Sequence, residues 1–309
     1  MILNTGGRTD TVQYFSEWLL NRFAAGYALS RNPFYPSVVN AVSLDPATVD
    51  VVVFCSKDYR PLLPRLHEIT NRFRCYFHYT ITAYGIDIEP RVPSIDDSMR
   101  TLIELSDRVG ARRVAWRYDP VLLTDKYTIG YHLHTFESMT ARLAPHVDRC
   151  IFSFVLMYKK LEANMPELRP LTADEKATLA QGMGAIARRY GMTLQTCATD
   201  IDFAPCGIQH SGCMTASIFE QAFDIRFRKV AHRGNRAHCR CMESRGLGDY
   251  NTCLNGCRYC YANADHSLAL RNYSRHDPAS PLLLGLLLPT DTVVPIRQQS
   301  LLDTSPRLF

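Results

Sequence analysis

Short apolar, β-rich runs alternate with longer stretches of helical period along most of this chain. This alternation indicates βαβ units and a parallel sheet, because parallel neighbours need a crossover connection that is usually a helix. The predicted strands are residues 1–5, 51–55, 75–82, 113–117, 149–155 and 192–197, with 39–44 a weaker candidate. The predicted helices are residues 12–24, 60–73, 95–109, 134–143 and 173–190.

Polar side chains follow nearly every predicted strand. Those with chemically useful groups are Arg8 and Asp10 after the first strand, Lys57 after the second, Thr82 in the third, and Arg117 and Asp119 after the fourth. Such groups converge only if the sheet curls so that the strand ends share one mouth, as in a (β/α) barrel of the TIM type. The sequence therefore predicts an α/β fold with a full or partial barrel. Six or seven strands are visible in the sequence, and a full barrel needs eight. Either the barrel is partial, or one or two further strands lie within residues 207–214 and 224–231.

The six polar side chains named above are the predicted catalytic or substrate-binding set. Grouped at one mouth, they suit an anionic small-molecule substrate, since an Arg guanidinium binds carboxylate or phosphate in a bidentate manner. For Arg117 and Asp119 the alternative is a salt bridge that ties two strand ends together.

The composition is that of an ordinary globular protein, with 46% hydrophobic and 21% charged residues. No run of eighteen apolar residues is present, so we expect no membrane span. The N-terminal residues lack the pattern of a signal peptide, which makes a cytoplasmic location the expectation. In that reducing compartment, clustered cysteines bind metal more often than they form disulfides. Residues 1–230 are predicted to form the barrel, and residues 231–309 a cysteine-rich segment and tail packed on it.

Eight of the eleven cysteines fall between residues 197 and 260. The last three have C-x3-C-x2-C spacing and are called the claw below; they are Cys253, Cys257 and Cys260. Thiolates are the usual protein ligands of a [4Fe–4S] cluster, and three of them would leave one iron open for a small molecule. The alternative is a structural zinc site to which Cys239 and Cys241 contribute. The spacing favours iron–sulfur.

A second set of cysteines lies upstream of the claw and consists of Cys197, Cys206, Cys213, Cys239 and Cys241. Either one of them completes the ligand set of the claw, or four of them hold a second cluster. A basic loop favours thiolates at Cys239 and Cys241; its members are His232, Arg233, Arg236, His238 and Arg240. With Cys197 and Cys213, these two complete the predicted metal ligands. The lone Cys55, Cys75 and Cys150 are expected to be buried small hydrophobes.

The motif Cys253-x3-Cys257-x-Tyr259-Cys260 resembles the C-x3-C-x-aromatic-C signature of the radical S-adenosylmethionine (radical SAM) superfamily. Its extension Tyr261-Ala262-Asn263 is similar to that of the spore-photoproduct-lyase-like members. The resemblance implies a full or partial (β/α) barrel, a [4Fe–4S] cluster, S-adenosylmethionine and an electron donor. It also implies cofactor binding by Tyr259, Tyr261 and Asn263. The order differs, because the superfamily's claw follows the first strand and this claw lies near the C-terminus.

Almost the full length of the chain resembles a bacterial and archaeal family catalogued as domain of unknown function family 1848. The residues that carry this resemblance are Arg8-Thr9-Asp10, Ser16-Glu17-Trp18, Arg31-Asn-Pro-Phe34, Tyr79-Thr-Ile-Thr82, Trp116-Arg-Tyr-Asp-Pro120, Ser153-Phe154, Cys239-x-Cys241, the claw and His276-Asp-Pro278. The chain departs from the family pattern at Gly6-Gly7 and at residues 54–58. The family name itself implies no activity.

The leading prediction is a radical-SAM-like enzyme whose cysteine-rich segment folds back over the barrel mouth. Such an enzyme would cleave S-adenosylmethionine reductively and abstract hydrogen from a substrate bound there. The first alternative is an iron–sulfur protein for electron transfer or sensing, without this chemistry. The second is a zinc-stapled nucleic-acid-binding barrel, which the basic loop favours but the mild net charge of +5 does not.

Overall fold

The computed structural model describes residues 1–32, 34–229, 232, 234 and 237–305. Its strands are β1 (Ile2–Asn4), β2 (Tyr27–Arg31), β3 (Val38–Ser43), β4 (Val51–Ser56), β5 (Cys75–Thr80), β6 (Val114–Val121), β7 (Arg149–Phe154), β8 (Thr193–Cys197), β9 (Gln209–Ser211), β10 (Ser244–Gly246) and β11 (Thr292–Pro295). Its helices are α1 (Thr11–Tyr14), α2 (Ser16–Ala25), α3 (His67–Thr70), α4 (Ile95–Val109), α5 (Ile129–Leu143), α6 (Lys159–Asn164), α7 (Ala173–Arg189), α8 (Ala216–Phe223) and α9 (His266–Tyr273). Short 3-10 turns occupy Leu63–Arg65, Ala111–Arg113, Ala144–His146 and Ala204–Cys206.

Eight strands form one sheet in the order β10-β1-β4-β5-β6-β7-β8-β9. Every neighbouring pair in it is parallel. The predicted α/β fold with a parallel sheet is confirmed. Strand β9 lies within residues 207–214, where the sequence left room for a further strand. Residues 224–229 form no strand, and residues 230 and 231 of that second region lie outside the described part.

The two edge strands of this sheet are β9 and β10. Among the described residues no strand ladder joins them, so a closed barrel is not shown. The chain just beyond β9 nevertheless contacts the chain just before β10. The Met242 N–H donates to the Met214 carbonyl over 2.8 Å. A Cβ at Gly212 would lie 2.7 Å from the carbonyl carbon of Arg240, which shows how closely the two segments approach.

Side chains of the main sheet alternate between two apolar clusters, as the two-residue period of strands requires. One face packs on the surrounding helices through residues such as Val52, Phe77 and Trp116. Side chains from β1 and β4 through β8 line the opposite face, and one helix, α8, packs there through Ile218 and Phe219.

A second, three-stranded sheet has the order β11-β3-β2. It contains the predicted strand at residues 39–44, which is therefore a strand but not part of the main sheet. Strand β3 pairs antiparallel with β2 and parallel with β11. The chain thus returns from near residue 292 to a sheet begun at residue 27.

Two predicted helices differ from those observed. The stretch 12–24 is split into α1 and α2 at Phe15, whose φ of −134° and ψ of 29° are not helical. The Ser16 hydroxyl bonds the Val12 carbonyl there, a local bond that competes with the helical ladder. The stretch 60–73 forms only a 3-10 turn and the one-turn α3, because Pro61 and Pro64 remove two backbone donors.

The other predicted helices are confirmed with small shifts. Helix α4 has the predicted bounds, and Ser94 caps it by accepting from the Asp97 N–H. Helix α7 begins with a capping box in which Thr172 and Glu175 satisfy each other's backbone N–H groups. Helix α5 starts earlier than predicted, with Thr128 as its N-cap. None of the helices described is both long and apolar enough to cross a membrane.

Candidate functional site

The segment that carries the claw lies on the carboxyl ends of the first strands of the main sheet, called the mouth below. The Asn255 amide donates to the Asp10 carboxylate over 3.4 Å and accepts from the Tyr14 hydroxyl over 2.9 Å. The Tyr261 hydroxyl donates to the Gly7 carbonyl over 2.8 Å. These bonds join residues more than 240 positions apart in sequence. The predicted folding back of the C-terminal segment onto the strand ends is thus present in the geometry.

Backbone N–H groups point at two claw sulfurs. Cys253 is buried, and the N–H groups of Asn255 and Asp10 hydrogen-bond its sulfur. The Ala262 N–H donates to Cys260 Sγ over 3.3 Å. Such donors stabilise a thiolate. Burial nevertheless raises the pKa of Cys253 to about 12, so the metal-free thiol is protonated at neutral pH and a bound cation would have to displace its proton.

The turn between the first two claw cysteines requires a glycine. Gly256 has φ of +69°, in the left-handed region that side chains other than glycine rarely adopt. A Cβ at this position would lie 2.7 Å from Arg91 Nη1 and 3.3 Å from Pro90 Cγ. The turn at Gly256 thus packs closely against the loop that follows β5, and a side chain there would disturb this packing.

Glu89 connects the claw to the mouth. One of its carboxylate oxygens accepts from Lys57 Nζ over 2.9 Å, from Thr82 Oγ1 over 2.8 Å and from the Tyr259 hydroxyl. Burial acts to lower the pKa of Lys57, but the neighbouring carboxylate of Glu89 acts against burial and the pKa is raised. Lys57 therefore stays charged beside the claw. Sequence reasoning predicted Lys57, Thr82 and Tyr259 but not Glu89, whose signal was its place in the polar stretch after β5.

Arg117 and Asp119 form an ion pair on β6, which was the alternative considered for them. Ser153 donates to Asp119 from the neighbouring strand. Arg117 Nη1 also approaches Cys55 Sγ at 3.6 Å. Cys55 is half-buried at the mouth, so the expectation of a buried apolar role for it is wrong. The other two lone cysteines, Cys75 and Cys150, are buried.

The remaining two predicted mouth residues have different surroundings. Asp10 caps α1 through the Gln13 N–H, and it accepts from the Ser56 hydroxyl at 2.7 Å and the Lys57 N–H at 2.9 Å. Its oxygens thus organise the mouth loops. Arg8 donates to the Gly248 carbonyl over 3.4 Å and lies over the ring of Tyr250. It forms no ion pair with a carboxylate in the part of the chain that the structure describes.

A pocket of about 290 Å³ opens beside Cys257 and Cys260. Lys160 borders it and donates to the carbonyls of Cys260 and Asn263. The Asn263 amide donates to the Cys253 carbonyl over 2.6 Å. The side-chain oxygen of Asn263 and both ring nitrogens of His266 are shielded from solvent and have no hydrogen-bond partner among the described residues. These unpaired atoms are available to a ligand. No sequence pattern singled out Lys160 or His266, since each is one polar residue on a short helix.

A second cysteine group lies apart from the claw. The sulfurs of Cys197, Cys213 and Cys241 are all within 4.8 Å of one another, and those of Cys213 and Cys241 are 3.5 Å apart. Cys239, two residues before Cys241, packs against the same apolar cluster as these three, so four cysteines lie near one another. The structure thus brings together four of the predicted ligands. Cys206, in a 3-10 turn packed on α7, is outside the group.

The basic loop before Cys239 is described only in part. Arg233 and Arg236 of the predicted loop lie outside the described residues. His238 has a positive φ of 58° and is exposed. Nothing further follows for nucleic acid binding.

No curated protein matches the chain. A protein family matches residues 2–262, a range that includes both cysteine groups and the mouth. The chain therefore belongs to the family described as Domain of unknown function (DUF1848).

Proposed function

We propose that this protein is an iron–sulfur enzyme related in chemistry to the radical SAM superfamily. One observation carries the proposal: three cysteines with the superfamily's spacing lie on the mouth of a parallel α/β sheet, and two of them border a pocket. Backbone donors aimed at the claw sulfurs suit thiolate ligands. The likeness of sequence motif supplies the identity of the cofactor, and the surroundings of the claw support it.

The donor set of the claw fits a cluster better than a single ion. The ligand atoms of a single ion lie close to one another, because all of them bind the same ion. The thiolates of a [4Fe–4S] cluster lie farther apart, because each binds a different iron. The claw cysteines do not form a group with mutual distances under 4.8 Å, unlike the second cysteine group, in the described part of the chain. When bound, a [4Fe–4S] cluster with one open iron would supply the electron that cleaves S-adenosylmethionine. Cys253, Cys257 and Cys260 would hold it.

The residues around the claw have positioning roles in this proposal. Glu89 fixes Tyr259 and Lys57, and thereby the turn that contains Cys257. The unpaired atoms of Asn263 and His266 are suited to hydrogen-bond a polar cofactor group. The pocket volume of about 290 Å³ is at the lower end for ligand sites, so it would enclose only part of a nucleoside-sized ligand.

The mouth is the proposed substrate site. Its cations Lys57 and Arg117 each carry a carboxylate partner, so neither is free to neutralise an anion. Arg8 is the cation best placed to receive an anionic group, because its partners among the described residues are a carbonyl and a ring. We also propose that the sheet is a (β/α) barrel, on the ground that the segment after β9 contacts the segment before β10.

The test is anaerobic reconstitution with iron and sulfide, followed by EPR of the reduced protein with and without S-adenosylmethionine. We expect a [4Fe–4S] signal that the ligand changes, and formation of 5′-deoxyadenosine on reduction. Cys257→Ser should abolish both, while Cys206→Ser, which alters a cysteine outside both groups, should abolish neither. A cluster indifferent to S-adenosylmethionine, with no 5′-deoxyadenosine, would leave electron transfer or sensing as the function and end the proposal.

A further inference from the structure

The second cysteine group joins the two edges of the main sheet. Cys197 is the last residue of β8, and Cys213 lies two residues beyond β9. Cys239 and Cys241 precede β10 on the opposite edge. In the described part of the chain no strand ladder joins β9 to β10, and a hydrogen bond from the Met242 N–H to the Met214 carbonyl joins the segments beside them. The four thiols therefore lie where the sheet lacks backbone pairing.

The distances between sulfurs match those around one ion. A tetrahedral ion with metal–sulfur bonds of about 2.3 Å holds its ligand sulfurs about 3.8 Å apart. The observed limits are 3.5 Å between Cys213 and Cys241, and 4.8 Å for the three sulfurs including Cys197. Four thiolates of a [4Fe–4S] cluster would each bind a separate iron and be spread around the whole cube. The sulfurs of Cys197, Cys213 and Cys241 are too close together for that.

A backbone donor favours negative charge on one of these sulfurs. The Met214 N–H donates to Cys241 Sγ over 3.4 Å. Such a donor stabilises a thiolate. One dication with four thiolates has a net charge of −2.

We infer that Cys197, Cys213, Cys239 and Cys241 bind one zinc ion that fastens β10 to the edge formed by β8 and β9. Four thiolates in a closed tetrahedral arrangement are a structural zinc site. Binding releases the four thiol protons to solvent as four metal–sulfur bonds form, with no change of oxidation state. The site is independent of the chemistry proposed for the claw.

The experiment measures metal in the full-length protein purified without oxygen and without iron–sulfur reconstitution. To exclude zinc at the claw, the variant with Cys253, Cys257 and Cys260 all changed to Ser is measured beside the unaltered chain. We expect about one zinc per chain in both, by elemental analysis. Replacement of zinc by Co²⁺ should give the absorption bands of tetrahedral cobalt with thiolate ligands.

Two substitutions separate the site from a chance binder. Cys241→Ser should lose the bound zinc and the cobalt bands, whereas the matched control Cys206→Ser should keep both. If Cys241→Ser does not fold, the cobalt spectrum of the protein without that change still decides. Iron with inorganic sulfide in the claw variant, a disulfide between Cys213 and Cys241 in the freshly isolated protein, or zinc-free folded protein would each overturn the inference.

Discussion

Replacing Glu89 by Gln should destabilise the protein strongly, because it leaves the ammonium of Lys57 buried without its partner. The side chains of Lys57 and Glu89 are 11% and 3% exposed, and the Nζ and Oε1 atoms are 2.9 Å apart. Breaking such a buried pair costs about 3–5 kcal/mol. Gln keeps an oxygen that accepts from Thr82 and Tyr259, so those bonds lose only their charge assistance. We expect a loss of about 3 kcal/mol in the free energy of unfolding.

The measurement is urea denaturation under reducing, anaerobic conditions, with the slope of the transition checked for each variant. At a slope of about 3 kcal/mol per M the midpoint should fall by about 1 M. Lys57→Met is the second single variant, and the double variant removes both charges. The double variant leaves no isolated buried charge. Its loss in the free energy of unfolding should therefore be smaller than the summed losses of the two single variants, by at least about 2 kcal/mol. Additivity within about 0.5 kcal/mol would refute the coupling.

Three further predictions concern pH, the claw turn and a helix cap. Burial lowers the pKa of His132 from 6.5 to about 4. Between these two pH values the imidazole is protonated in the unfolded chain and neutral in the folded protein. The free energy of unfolding should therefore fall by about 3 kcal/mol as the pH drops through that window, and His132→Gln should remove this part of the fall. Gly256→Ala should lower the amount of iron bound on reconstitution, because the position has a positive φ and a Cβ there would be crowded. The control Gly246→Ala has open space around its Cβ and should not lower it. Equal iron loading of the two variants would contradict this prediction. Thr172→Ala should lower the free energy of unfolding by about 1 kcal/mol, measured by urea denaturation. Thr178→Ala on the same helix should cause a smaller loss. Equal losses would argue against the capping box.

Much of the fold could be predicted because each element carried a local signal. The apolar runs at β1, β4, β5, β6, β7 and β8 are all strands, and the bounds of α4 follow from the Ser94 cap and the glycine after it. Strand β10 had no such signal. It has only three residues, and it is a strand because β1 lies next to it. The assignment of β3 to a separate sheet likewise depends on a partner from the distant C-terminal region.

The candidate site was predictable in its residue types and less so in its groupings. Spacing identified the claw, since three thiols within eight residues are close in any fold. The convergence of Cys197 with Cys241 depends on how the sheet edges meet, which no local pattern specifies. Glu89 was missed for a related reason. A carboxylate acquires its importance from three donors on separate parts of the chain, and only the folded geometry brings them together.

The position of the claw near the end of the sequence determines when its surroundings are synthesised. Asp10, Lys57 and Glu89 leave the ribosome long before Cys253, and the strands from β1 to β9 precede Cys239. Since chains emerge N-terminal end first, at about 5–20 residues per second, most of the sheet is synthesised before the claw exists. The claw thiols are thus delivered to a surface whose other residues are already translated. Any metal that the claw binds can therefore be loaded only after nearly the whole sheet has been made.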